Sequence, residues 1–145
     1  MPTRTARTTW KGSLQEGTGT VVLASSGQGT YEVSFPKRAA DDAGGATSPE
    51  ELIAAAHSAC FAMQFSALLG ADGGSDPELE VAADVTLGPD PAGGFRISGI
   101  KLTVSGSARG VTAEDFARIA ADAKANCPVS KALTGTDITL DVHPG

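Results

Sequence analysis

Two cysteines and one histidine are the residues whose types and positions best suit chemistry in this chain. His57 and Cys60 lie in the segment Ala-Ala-His-Ser-Ala-Cys-Phe-Ala-Met, and Cys127 lies in Asn-Cys-Pro-Val-Ser. Pro128 predicts that Cys127 caps the start of a short helix, where backbone N–H groups favour the nucleophilic thiolate. Packing of both cysteines as small buried side chains is the alternative interpretation, and it remains open at this point.

Other chemistry is less well supported by the same residues. His57, Cys60, Cys127 and His143 are of zinc-ligating types, but no Cys-x-x-Cys pairing is present. A Cys–His hydrolase is disfavoured because His57 lies one turn from Cys60 on the same predicted helix and no third, orienting group is apparent. The glycines do not form a G-x-G-x-x-G phosphate loop. The sequence therefore predicts neither a metal nor a bound cofactor.

Composition narrows the class of protein. The chain has 145 residues, of which 41% are hydrophobic and 19% charged, and its formal charge is −6. These values predict a single ordered domain over residues 1–145 and argue against disorder. Net negative charge argues against a nucleic-acid or membrane-surface partner. Because the first ten residues contain no apolar run, we expect a cytoplasmic protein with reduced thiols.

The segment around Cys60 predicts a long helix. Ser48 is a suitable N-cap, Pro49 suits the first helical position, and Glu51 completes a capping box. Residues 52–71 then carry no formal charge, which also fits a membrane span. The run is only mildly hydrophobic and lacks basic flanks, so a buried helix is favoured. A helix of this length is hard to cover within one small domain, and we expect a partner subunit to help cover it.

Alternating apolar residues predict the strands. A hairpin is predicted over residues 19–35, a strand near residues 6–10, two strands over 79–87 and 95–104 with a bulge at Ser98-Gly99, and a last strand over 138–142. Phe95, Ile97, Ile100, Leu102 and Val104 form the predicted inward set of the fifth strand. Residues 36–47 are predicted as a loop. The tight turns favour antiparallel pairing of the strands they join, and antiparallel sheets are therefore predicted.

A second helix is predicted to begin after Thr112. Phe116, Ile119, Ala120, Ala123 and Cys127 share one face of it, and Pro128 ends it or begins a short helix that extends to Leu133. The fold is therefore predicted to be α+β, in the order β-β-β-α-β-β-α-β, with helices on one face of the strands.

The two cysteine motifs resemble those of a known family. Ser-Pro-Glu-Glu-Leu-Ile-Ala-Ala-Ala-His-Ser-Ala-Cys-Phe over residues 48–61, followed by Cys-Pro-Val-Ser-Lys-Ala-Leu over residues 127–133, is similar to the osmotically inducible protein C (OsmC) family, which includes the organic hydroperoxide resistance proteins. The resemblance extends over nearly the whole chain and includes Gly-Gly-Phe-Arg-Ile at 93–97. The loop before the first helix and the His-Ser-Ala-Cys sequence favour the OsmC branch.

The resemblance implies a fold, an assembly and a set of site residues. The family has antiparallel sheets around a long buried helix, in an intertwined homodimer with active sites at the subunit interface. Cys60 then resembles the peroxidatic cysteine and Cys127 the resolving one, while Glu50 matches the family glutamate. Arg38 resembles the arginine that attends the thiolate, and Arg7 is the second candidate for that role.

An activity follows from the same resemblance. It implies a thiol peroxidase that reduces organic hydroperoxides through a Cys60 sulfenic acid and a Cys60–Cys127 disulfide, reopened by an external dithiol that is of the lipoyl type in some family members. Phe61, Met63 and His57 are the predicted substrate-pocket residues. About 15 Å of helix separates Glu50 from Cys60 of the same chain, so we expect Glu50 to hold the arginine near the partner's Cys60. A redox sensor without turnover and a non-catalytic dimeric binding protein are the alternative functions.

Overall fold

A computed structural model describes all 145 residues, and the chain forms two compact units, residues 1–52 and 53–145. The helix with Cys60 begins in the first unit and continues through the second. The assignment of residues 1–145 to a single domain stays a prediction. The elements of the first unit, apart from the start of that helix, are β1 (Arg7–Lys11), β2 (Thr18–Val22), β3 (Thr30–Val33) and α1 (Phe35–Ala39).

The first unit contains an antiparallel sheet in the order β1-β2-β3. The predicted strand near residues 6–10 and the hairpin over 19–35 are thereby confirmed. The prediction of a loop over residues 36–47 is wrong at its start, where α1 forms. Ser34 caps α1 by accepting a hydrogen bond from the Lys37 N–H, and Pro36 lies in the first turn, where its missing N–H costs nothing.

The long helix α2 spans Pro49–Ala71. Ser48 accepts the predicted capping hydrogen bond from the Glu51 N–H at 3.1 Å. The reciprocal half of the capping box is absent, because the Glu51 carboxylate accepts a hydrogen bond from the Thr47 hydroxyl at 2.6 Å instead.

Two faces of α2 differ in burial. Its buried face carries His57, Phe61, Phe65 and Leu69, each four residues after the last. The opposite face, here called the small-residue face, is exposed and consists of Ala56, Ala59, Met63, Ala67 and Gly70. By length and composition α2 is able to cross a membrane, although 22% of its apolar stretch is already buried within this chain.

The second unit contains a three-stranded sheet of β4 (Ser75–Pro89), β5 (Phe95–Arg109) and β6 (Ile138–Pro144). β4 and β5 are antiparallel, and the register shifts at Ser98, which confirms the predicted bulge. β6 pairs with β5 in parallel, so this sheet is mixed and not purely antiparallel as predicted. The physical reason is that a helical crossover joins β5 to β6, and such a connection permits parallel pairing.

Helices α3 (Ala113–Asn126) and α4 (Pro128–Ala132) form that crossover. Thr112 caps α3 at the Asp115 N–H, and the predicted inward face of α3 is buried as expected. Phe65 of α2 packs on Phe116 of α3 with ring centroids 4.8 Å apart. Of the predicted inward set of β5, Ile100, Leu102 and Val104 are buried, whereas Phe95 is 58% exposed because it lies at the hairpin end of the strand.

Candidate active site

The two cysteines meet within the second unit. Cys127 lies between α3 and α4. Its N–H donates to the Ala123 carbonyl at the end of α3, and it is the N-cap residue of α4, as Pro128 predicts. Its sulfur lies 3.0 Å from the sulfur of Cys60 on α2, and both are free thiols. This separation is a hydrogen-bond distance and exceeds the roughly 2.05 Å of a disulfide bond. The pair can share one proton and is close enough to form a disulfide after a small movement.

The two thiols differ in accessibility. Cys127 is 0% exposed, whereas Cys60 is partly exposed. A small molecule arriving from solvent therefore reaches Cys60 first. In a reaction with a soluble oxidant, Cys60 is therefore the more accessible of the two sulfurs.

The two thiols also differ in their hydrogen-bond surroundings. Burial raises the pKa of Cys60, the adjacent Cys127 raises it further, and only the Val129 N–H opposes the rise. Burial alone would also raise the pKa of Cys127, but the adjacent Cys60 thiol and the polar groups of Ser130 and Val129 outweigh it and lower the pKa. The Cys127 sulfur accepts no capping hydrogen bond from the start of α4. Within this chain, Cys127 is thus the better place for a negative charge.

His57 has a partner that the sequence does not predict. Its Nε2 lies 2.7 Å from the Ser130 hydroxyl oxygen, and both side chains are buried. Burial lowers the pKa of His57, which favours the neutral imidazole. Ser130 is the residue that sequence reasoning missed. Its position three residues after Cys127 places it in the first turn of α4, but nothing in the sequence connects it to a histidine 73 residues away.

Arg38 and Glu50 form an ion pair within the first unit. Arg38 Nε donates to the two carboxylate oxygens of Glu50 at 2.7 and 3.3 Å. The Glu50 side chain is 8% exposed and that of Arg38 is 34% exposed. The predicted pairing of Glu50 with an arginine is therefore present, and Arg38 is that arginine. Arg7, the second candidate, lies exposed on β1.

A cavity of about 180 Å³ lies beside this ion pair. Its lining, apart from Arg38 itself and Ser34, is apolar and comprises Trp10, Leu14, Val33, Phe35 and Pro49. A guanidinium at the edge of an apolar cavity is suited to a ligand with a polar head and a hydrocarbon body.

The predicted substrate-pocket residues lie in different environments. Phe61 and His57 belong to the buried face of α2, whereas Met63 is 73% exposed on its small-residue face. Their role as a pocket stays a prediction. No group of three or more His, Cys, Asp or Glu side chains converges on one point, and His143 is paired with Asp141 at 3.2 Å on β6.

The site is thus a pair of thiols that differ in exposure and in the direction of their pKa shifts, within an α+β fold. This is the arrangement of a thiol-based oxidoreductase.

The OsmC-like protein family matches residues 41–142. A peroxiredoxin OsmC from Escherichia coli is 40% identical over 132 residues, covering 91% of this chain and 90% of the relative. An organic hydroperoxide resistance protein-like 2 from Staphylococcus epidermidis is 35% identical over 114 residues, covering 76% of this chain and 77% of the relative.

A solved structure shares the fold. The crystal structure of an organic hydroperoxide resistance protein from Elizabethkingia anophelis superposes with a TM-score of 0.74 at 29% identity, covering 100% of this chain and 98% of that one. The chain belongs to the OsmC-like protein family, as the cysteine motifs predict. It is an enzyme of the peroxidase class.

Proposed function

We propose that this protein reduces organic hydroperoxides to alcohols as part of a cell's defence against peroxide stress, with Cys60 as the peroxidatic cysteine and Cys127 as the resolving one. The observation that carries the proposal is the pair of free thiols 3.0 Å apart, of which only Cys60 is exposed to solvent. Two thiols so placed can hold two electrons and release them together as a disulfide.

The reaction proceeds in three balanced steps. The Cys60 thiolate attacks the outer oxygen of the peroxide, the O–O bond breaks, and the alkoxide takes a proton and leaves as alcohol, so that Cys60 becomes a sulfenic acid. The Cys127 thiolate then attacks the Cys60 sulfur and releases hydroxide, which leaves as water. An external dithiol, for which a lipoyl-type compound is the candidate, reduces the disulfide by exchange and becomes oxidised itself.

The first step needs a thiolate on Cys60, and burial opposes one. A guanidinium about 4 Å from a thiolate contributes roughly 4 kcal/mol at an effective dielectric near 20, which is an upper bound for a partly exposed group. We assign this role to Arg38, held by Glu50, of the partner protomer. The ion pair fixes the guanidinium, and because the Glu50 carboxylate opposes the attraction, the net effect on the thiolate is smaller than this bound.

A homodimer provides the cover that α2 needs. The small-residue face of α2 is apolar and exposed in the single chain. Small side chains let two helices approach closely, and burial of such a face is favoured at about 25 cal/mol per Å² of apolar surface. We therefore propose that a second copy of α2, rather than lipid, packs on this face, and that residues 1–145 act as one domain in a cytoplasmic dimer.

The apolar cavity beside Arg38 supports a preference for organic over inorganic peroxides. Its volume of about 180 Å³ suits an alkyl or aryl body of modest size. Hydrogen peroxide would leave the apolar lining unused, and its reduction is accordingly expected to be less efficient.

The decisive experiment is a free-thiol count with intact mass on the reduced protein after one equivalent of cumene hydroperoxide. We expect both thiols to disappear within seconds, with a mass loss of about two hydrogens. In Cys60→Ser, turnover should be abolished. In Cys127→Ser, one oxidation should occur, after which excess peroxide drives Cys60 to the sulfinic acid.

The outcomes separate the functions. Two intact thiols after minutes with peroxide, or full turnover by Cys60→Ser, would contradict the proposal. A disulfide that forms once but supports no steady peroxide consumption with an added dithiol would identify a redox sensor instead.

A further inference from the structure

Trp10 lies on β1 and forms part of the wall of the apolar cavity beside Arg38. The Trp10 side chain is 44% exposed, and Leu14, which lines the same cavity, is 57% exposed. Single exposed apolar side chains are ordinary, but large apolar side chains that are exposed together mark a place where a ligand or partner binds. The cavity therefore offers an aromatic surface to a ligand.

The first sheet holds the Trp10 ring in place. The indole N–H donates to the Gly12 carbonyl at 2.8 Å. Trp10 pairs with Gly19 of β2, and Gly19 pairs with Val33 of β3, so that these three residues form one row across the sheet. A Cβ atom on Gly19 would lie 2.8 Å from Cε3 of Trp10 and 2.9 Å from Cγ2 of Val33. The missing side chain at Gly19 is therefore what lets the indole ring and Val33 approach each other over β2.

Arg38 supplies the polar end of this cavity. Both of its hydrogen bonds to Glu50 come from Nε, so the terminal amino groups of the guanidinium lie outside that ion pair. The N–H groups of a guanidinium are donors only, and a hydroperoxide oxygen is a suitable acceptor for them. A ligand that matches the cavity thus has oxygen at one end and an apolar body that lies against the indole ring.

The size of the cavity limits that apolar body. An apolar cavity of about 150 Å³ inside a protein is large enough to bind benzene. Pockets for drug-sized ligands have volumes of roughly 300 Å³ or more. At about 180 Å³, this cavity has room for one aromatic ring with few further carbons. Two aromatic rings also attract each other in offset or edge-to-face arrangements, beyond the gain from burying their surface.

We propose that Trp10 is a specificity-determining residue of the peroxidase, and that the hydroperoxide it selects carries a single aromatic ring beside the peroxide group. Gly12 and Gly19 position the indole ring for this contact. The inference rests on the proposed peroxidase function and deepens it, because it names the preferred substrates as compact aryl hydroperoxides. Alkyl hydroperoxides without a ring make no aromatic contact, and most of a long acyl chain would lie outside the cavity.

The first test uses the fluorescence of Trp10 and requires no turnover. Because the chain has one tryptophan, the signal comes from this cavity alone. The reduced protein is titrated with 2-phenyl-2-propanol, the alcohol that forms from cumene hydroperoxide, and separately with tert-butanol, which lacks the ring. We expect a saturable change in emission whose midpoint is about 2- to 10-fold lower for the aryl alcohol, the ratio that an aromatic pair contributes. No saturable change, or equal midpoints for the two alcohols, would overturn the proposal.

The second test compares kcat/KM for cumene hydroperoxide and tert-butyl hydroperoxide. Trp10→Leu should lower the value for cumene hydroperoxide about 2- to 10-fold and leave the value for tert-butyl hydroperoxide nearly unchanged. Trp10→Phe keeps an aromatic ring and should recover part of the preference. Tyr31→Leu is the matched control, since Tyr31 is a partly exposed aromatic side chain of the same sheet that does not line the cavity. An equal loss for both peroxides in Trp10→Leu would show that Trp10 supports the fold and does not select the substrate.

Gly19→Ala tests the position of the ring while Trp10 is still present. The added methyl group would meet the indole ring and force it to move. We expect the emission of the unliganded protein to shift and the preference for the aryl alcohol to fall toward that of an alkyl alcohol. Gly135→Ala is the matched control, since a Cβ atom there meets nothing within 4 Å. Unchanged emission and preference in Gly19→Ala would contradict the positioning role of Gly19.

A failure of this inference is distinguishable from a failure of the peroxidase. If wild-type thiols react with neither peroxide, the proposed function fails, while the alcohol titration still decides whether the cavity binds an aryl ligand. If the thiols react normally and Trp10→Leu keeps the wild-type preference for cumene hydroperoxide, the peroxidase stands and the role of Trp10 is wrong.

Discussion

The two units of this chain differ in the kind of polar interaction that they contain. In residues 53–145 the polar side chains at the candidate site are formally neutral: His57 and Ser130 form a buried hydrogen bond, and the two free thiols lie 3.0 Å apart. In residues 1–52 an ion pair between Arg38 and Glu50 holds a formal positive charge at fixed geometry. The comparison shows that the proposed reaction draws its charge and its nucleophile from different parts of the protein.

The units also differ in how much apolar surface they bury. The second unit has a core of eleven buried residues. They come from α2, β5 and α3 and include Cys127, which follows α3, and three of them are phenylalanines whose rings pack together. In the first unit only Val21 and Ala46 are buried apolar residues, and every residue of β1 is exposed. A piece of chain with so small a core needs additional cover to be stable. We infer that this unit depends more strongly on a second copy.

Placing a charge on the small-residue face of α2, which lies in the second unit, tests the proposed dimer and should have the largest effect. In Ala67→Glu, two carboxylates would meet at a symmetric helix contact, where like charges and lost burial both oppose association. We expect a monomer by light scattering and a loss of peroxidase activity at least as large as the loss on removing Arg38.

Ala121→Glu is the matched control for that variant. It places the same side chain at an exposed alanine of α3, away from the small-residue face. It should leave the mass of the assembly unchanged. A wild-type protein that is already monomeric, or an Ala67→Glu dimer with full activity, would contradict the proposed assembly.

Removing the guanidinium should have a smaller effect. Arg38→Ala is expected to slow the oxidation of Cys60 about 10- to 100-fold, which corresponds to roughly 1.4 to 2.7 kcal/mol and stays below the Coulomb bound because Arg38 is one-third exposed. Stopped-flow or quenched measurement of thiol loss gives this rate directly. Lys37→Ala is the matched control, since Lys37 lies next to Arg38 on α1 and pairs with Glu32 at the surface. Equal rates of thiol loss in the two variants would show that Arg38 does not assist the oxidation of Cys60.

Local patterns predicted most of the secondary structure and little of the network around the thiols. Alternation and capping residues predicted the strands, the bulge at Ser98 and the burial of the α3 face. Alternation does not identify a strand's neighbour, which is why the parallel pairing of β6 was missed. Pro36 was interpreted as a loop residue, although the cap at Ser34 makes it the start of a helix.

The residues of the candidate site also differ in how well the sequence predicts their contacts. Sequence motifs indicated Cys60, Cys127, Arg38 and Glu50, and the structure pairs the two cysteines and pairs Arg38 with Glu50, while their catalytic roles stay a prediction. The link from His57 to Ser130 depends on tertiary packing between α2 and α4, and no local spacing indicates it. Interactions between distant segments are the ones that a single sequence leaves unpredicted.

The smallest expected effect concerns the neutrality of His57. Because burial lowers its pKa below the ordinary value of 6.5, the unfolded chain binds more protons than the folded one at mildly acidic pH. The free energy of unfolding should therefore fall as the pH is lowered through about 6.5 toward the depressed pKa of the folded state, and this contribution should be absent at higher pH.

Urea unfolding of wild type and His57→Gln at pH 7.5 and 5.5 measures this contribution, since carboxylates common to both proteins cancel in the comparison. We expect the wild type to lose more stability between the two pH values than His57→Gln does. Parallel losses would show that His57 is protonated as readily in the folded protein as in the unfolded chain, and the neutral imidazole would then be the wrong state of the site.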